Sequence, residues 1–141
     1  MFSKFFKKKE KNITNNKNVL VTALLIHAAK IDENYTDAEK NIIKKALINL
    51  GETAPDKVDE ILNEAEKKEK DSNQIIEFTK EIKKNPMEFR FKIIEILWKI
   101  VYSDGTSDNY ESNLIRRICG LLYISDKDNG IVKTKVQNLL K

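Results

Sequence analysis

At 141 residues the chain is the size of one domain, long enough to bury about two-thirds of its unfolded surface. Apolar residues make up 40% and charged residues 34%, which excludes a disordered chain, and only four Gly and two Pro exclude a many-turned β protein. The formal charge of +4 comes from the first 17 residues, with six Lys against one Glu; the other 124 hold 20 basic and 21 acidic groups, so the body is near neutral and no specific nucleic-acid partner is expected.

The opening stretch "MFSKFFKKKEKNITNNKN" reads as a basic tail over residues 1–17, ahead of a helical domain over 18–141. Phe2, Phe5 and Phe6 alternate with lysines that include Lys7, Lys8 and Lys9. Aromatics that insert while lysines meet anionic lipid give a weak peripheral membrane or partner contact. The plainer alternative is a terminus whose phenylalanines pack onto the body.

Seven helices are expected in chain order. The first runs from about Val19 to Lys30, with Leu20, Ala23, Leu24, Leu25, Ala28 and Ala29 on a wide apolar face. Its 11-residue run "VLVTALLIHAA" is too short to span a bilayer, though after lysines it has the look of a signal peptide. The second runs from Thr36 to Leu50 and stops at Gly51. The third starts at Thr53, takes Pro55 into its first turn and ends in the charge run "EKKEKDSN", expected to be a solvated helix end. The fourth covers about Asn73–Lys83 and ends at "KKNP". The fifth, about Pro86–Tyr102, is the most apolar and is expected at the centre of the bundle. The sixth and seventh cover about Asn109–Leu122 and Asp126–Leu140. No stretch alternates with period two for long, so the class is all-α.

Other chemistry is sparse. Cys119 is the only cysteine, which rules out an internal disulfide and reads as a small buried hydrophobe. His27 is the only histidine and has no cysteine near it, so it reads as a core-edge residue rather than a zinc ligand. Trp98 and Tyr102 read as core. There is no phosphate loop and no Ser-His-Asp set.

Shifted by 72 residues, the chain matches itself. "LLIHAAKIDENYTDAEKNIIKKALINLGET" lies over "LWKIVYSDGTSDNYESNLIRRICGLLYIS". Asp32 falls on Asp104, Glu39 on Glu111, Ile43 on Ile115, Leu50 on Leu122 and Thr53 on Ser125. Each unit is helix, acidic loop, helix and helix start, and such units commonly pack about a pseudo-twofold axis. Membership in this repeat sets the signal-peptide reading aside.

The repeat, with Tyr102-x-Asp104-Gly105 leading to Glu111 and "IRR", resembles the tellurite-resistance TerB-like family, over about Val19–Lys141. The first half departs from that pattern at Glu33, where the second has Gly105. The resemblance implies an all-helical bundle, a proposed metal-binding site and no enzymatic activity. Similar domains occur in tellurite-resistance operons and attached to membrane J-domain co-chaperones. Carried onto this chain, the acidic positions are Asp32, Glu39, Asp104 and Glu111.

Read from the residues, these acids have three explanations. "TDAE" at 36–39 and "DNYE" at 108–111 are capping boxes, which account for the glutamates. Asp32 and Asp104 end the preceding helices, where the dipole disfavours an acid, so they ask for a cation or for a basic partner such as Arg116 or Arg117. Four converging carboxylates would suit Ca²⁺, Mg²⁺ or Mn²⁺, although the spacing is not that of an EF-hand. An acidic patch that docks a basic partner is the third. The expectation is a cytoplasmic, non-enzymatic stress or regulatory module that binds a divalent cation; the alternative is a metal-free module that recruits an unknown protein partner or a membrane face.

Overall fold

A computed structural model describes residues 17–31, 35–50, 53–72, 74–104 and 109–139. Among them are seven α-helices and no strand, as an all-α chain requires. Helix α1 covers 17–29, α2 Asp37–Asn49, α3 Val58–Asp71, α4 Ile76–Ile82, α5 Met87–Val101, α6 Asn109–Leu121 and α7 Asp126–Leu139. Short 3-10 turns precede α3 (Pro55–Lys57) and follow α5 (Tyr102–Asp104).

The duplication is visible in the helix bounds. Asp37–Asn49 moved by 72 residues is Asn109–Leu121, which are the limits of α2 and α6. The same shift carries 17–29 onto the last 13 residues of α5, so α1 is paired with α5. Helix α4 stands between the two units. In each unit the residue at the start of the long helix ties down the segment beyond the next one. Asn18 donates from Nδ2 to Thr53 Oγ1 (3.2 Å), and its equivalent Arg90 donates from Nη1 to the Leu122 carbonyl (3.1 Å).

Helix α5 packs on α2, α6 and α7, while α2 meets α3 and α4 meets α6. Helix α5 is central as expected, and α1 shares the core with it. Every residue of α1 from Val21 to Ile26 is buried, as are Ala28 and Ala29, which is the pattern of a helix enclosed on all sides. Helix α5 buries Ile93, Ile94 and a run from Ile96, but Lys92, Glu95 and Lys99 keep one face outward.

Helix α3 starts later than its Thr53 signal suggests. The Thr53 hydroxyl is engaged by Asn18 instead of capping, and a 3-10 turn at Pro55 leads into the helix. Its charged end is solvated as expected at Lys67, Lys68, Lys70 and Asp71, with Glu69 the exception. The helix continues to Asp71, and Glu69, one turn on from Ala65, has a side chain only 11% exposed. Helix α4 starts at Ile76, shorter than the expected span; Asn73 lies outside the described residues, as do Gly51 and Leu140. Trp98 is core: it is 1% exposed, donates from Nε1 to Asn129 Oδ1 (2.9 Å) and stacks on Tyr102 (centroids 5.7 Å apart).

Candidate functional site

Thr36 stands in extended conformation as the N-cap of α2, and the capping box closes in both directions. The Glu39 N–H donates to Thr36 Oγ1 (3.1 Å), while the Thr36 N–H and hydroxyl donate to Glu39 Oε1 (2.9 and 3.0 Å). Glu39 is 6% exposed. Its repeat equivalent Glu111, in the first turn of α6, is 8% exposed. Glutamate is among the residue types least often buried without partners, so two such residues in equivalent turns are the main polar feature of the duplication.

Asp32 lies outside the described residues, and so does Asp108, the cap proposed for the second box. Asp104 ends the 3-10 turn after α5, and its side chain is not among those described. Among the described residues no three His, Cys, Asp or Glu side chains are grouped to hold a metal ion. Arg116, a candidate partner for the loop acids, pairs with Asp126 at the start of α7 (3.2 Å). The tail residues Phe2, Phe5, Phe6, Lys7, Lys8 and Lys9 also lie outside the described residues. No helix among the described residues is long and apolar enough to cross a membrane.

Beside the first acidic corner is a polar cluster that the sequence reading passed over. Tyr35 donates its hydroxyl to Glu66 Oε1 (3.3 Å), and Lys40 sits over its ring (4.9 Å). Burial, with Glu66 as the nearest negative charge, pushes the Tyr35 phenol above its ordinary range. Glu69 accepts from Lys30 (2.9 Å) and lies 3.3 Å from His27 Nδ1. His27 is thus a core-edge residue that ties α1 to α3. The signal available in the sequence was the spacing of Leu62, Glu66 and Glu69, which puts both acids beside the apolar face of α3.

The single thiol is closed off from solvent. Cys119 is fully buried, and burial pushes its thiol up to about 12, far from a reactive thiolate. His27 is held at Glu69.

No curated protein and no solved structure matches the chain. A protein-family model described as tellurite resistance protein TerB matches residues 18–133, which takes in both units of the duplication and all four candidate acids. With that match spanning most of an all-α fold built from two equivalent hairpins, the chain belongs to the TerB tellurite-resistance family.

Proposed function

We propose that this is a non-enzymatic, cytoplasmic TerB module with a stress or regulatory role, in which the two acidic corners take up one hard divalent cation. The observation that carries the reading is the buried pair Glu39 and Glu111, in equivalent first turns that follow the equivalent loop acids Asp32 and Asp104. The donor set fits the ion: four carboxylates offer only oxygen, which Ca²⁺, Mg²⁺ and Mn²⁺ prefer. A carboxylate has two oxygens and roughly four lone-pair sites, so capping and ligation are compatible roles for one glutamate. When bound, the cation would supply the positive charge that acids at helix C-terminal ends lack. Its consequence is linkage: binding to the folded chain alone ties the hairpins together and raises stability.

Calorimetric titration of the full chain with Ca²⁺, Mg²⁺ and Mn²⁺ tests this. At a hundredfold excess over Kd the gain is about 2.7 kcal/mol, which for a chain of this size is a melting shift of roughly 9 °C. Asp32→Ala/Asp104→Ala should abolish both heat and shift. Neither effect at millimolar ion would leave a metal-free interaction module, a reading that the completed box at Thr36 favours. Vesicle co-sedimentation with and without residues 1–17 tests the tail, and equal pelleting removes its membrane role.

A further inference from the structure

Between α2 of the first unit and α5 and α7 of the second runs a groove that the cation reading does not use. Two adjoining cavities, about 360 and 330 Å³, share Ile42, Lys45 and Lys99 and run along α2 between α5 and α7. The floor is apolar: Ala46 is 6% exposed, Ile96 9% and Val136 0%. Leu139 stands at one end, 61% exposed.

The rim is basic. Lys45 and Lys92 are exposed and make no ion pair among the described residues. Among the described residues Glu95 is the only acid lining either cavity, and it is met by both Lys135 (3.2 Å) and Lys99 (3.9 Å). The groove therefore presents a surplus of positive charge over an apolar floor.

At the repeat-equivalent positions the apolar residues are sealed. Moved by 72 residues, Ile42, Ala46, Leu50 and Ile96 become Leu114, Ile118, Leu122 and Leu24, which are 8%, 0%, 0% and 0% exposed. In that half helix α4 packs on α6, with Phe78 and Ile82 buried to 1% and 0%. The apolar positions that are sealed in one half line open cavities in the other. The groove spans Ala38 to Asn49 along α2, about 16 Å or three turns at 1.5 Å per residue.

We infer that the α2–α5–α7 groove is a docking site for an acidic amphipathic helix of about three turns from a partner protein. Leucine-like residues at i, i+3 or i+4 and i+7 of that helix enter the floor, and its flanking carboxylates meet Lys45 and Lys92. The chain's own first 17 residues, with six Lys and one Glu, have the wrong sign for this rim.

The test is fluorescence anisotropy on the full chain with a labelled synthetic peptide of about 14 residues, leucines on one face and glutamates on the other. Its counterpart has lysine at every glutamate. The acidic peptide should bind, the basic one should not, and Lys45→Glu/Lys92→Glu should weaken binding at least about tenfold. Lys80→Glu, on α4, should leave it unchanged. Lys45→Ala/Lys92→Ala should give an intermediate loss, and thermal melts should show each variant folded. No anisotropy change as the protein is raised to about 1 mM, where a complex with a Kd of about 1 mM would be half formed, would overturn the proposal. So would equal affinity of the charge-reversed variant or of the basic peptide. Sedimentation showing a dimer that Lys45→Glu/Lys92→Glu dissolves would assign the groove to a second copy and also overturn it.

Discussion

Leu25 and Leu97 occupy equivalent positions in the repeat, and both are 0% exposed. If α1 is a core helix of the same rank as α5, truncating either leucine to alanine should cost the same. The transfer part is three carbon groups at about 0.8 kcal/mol each, near 2.4 kcal/mol. The cavity left behind adds to this and brings the expected loss to roughly 3 kcal/mol, within the range of about 2.7–5 kcal/mol for buried Leu→Ala changes. For a chain of this length that is a fall in melting temperature of about 10 °C. Urea unfolding followed by far-UV circular dichroism measures it, with an unchanged slope showing that the unfolded states are comparable. A cost below about 1 kcal/mol for Leu25→Ala, beside about 3 kcal/mol for Leu97→Ala, would refute the enclosed placement of α1 and leave α5 alone at the bundle centre.

Three further outcomes follow from named contacts. Thr36→Ala removes one side of the capping box and should lower stability by about 1 kcal/mol, whereas Glu39→Gln keeps a box-compatible amide and should cost less in the absence of divalent ions; thermal melts in a chelator decide both. Tyr123, 69% exposed, follows α6 with φ of 59°, and its repeat equivalent is Gly51, so Tyr123→Gly should raise stability by about 0.5–1 kcal/mol in chemical denaturation, net of the lost stacking with Lys83. The Cys119 thiol should react with a disulfide reagent only at the rate of opening, and since burial holds it up at about 12, labelling of the folded protein should stay slow as pH rises through the ordinary thiol range near 8.5.

The helices were legible because their signals are local. The box at 36–39 places the start of α2, and the apolar spacing of Ile42, Ile43, Ala46 and Leu47 places its inner face. The starts of α6 and α7 at Asn109 and Asp126 follow from the same kind of cap signal. What escaped was long-range. Thr53 looks like a helix starter, and only its contact with Asn18, 35 residues away, diverts it. Glu69 looks like part of a solvated charge run until Lys30 and His27 arrive from α1. The paired glutamates were visible through the repeat, though their burial was not. The groove was not legible at all, because its openness depends on which helix is left without a cover, and periodicity along one helix carries no such information.

Comparison of the two units separates shared features from single ones, and the separation bears on function. The apolar seats are shared, with Ile43 and Ile115 both at 0% exposure, and so are the buried glutamates. The polar fittings differ at matching positions. Asn18 becomes Arg90, Gly51 becomes Tyr123, and His27, which reaches Glu69, becomes Lys99, which pairs with Glu95. A property that needs both units, such as an ion held between equivalent corners, must reside in the shared set, and substitutions at Glu39 and Glu111 should then act alike. A property of one surface must reside in the differing set. Lys45 answers to Arg117, also basic, whereas Lys92 answers to Leu20, so Lys92 is the part of the rim that the repeat does not share. Cation and helix binding should therefore be separable: charge reversal at the rim should leave ion-induced melting shifts intact, and removal of the loop acids should leave peptide binding intact. A single variant that abolished both with the fold preserved would show that one site serves both ligands.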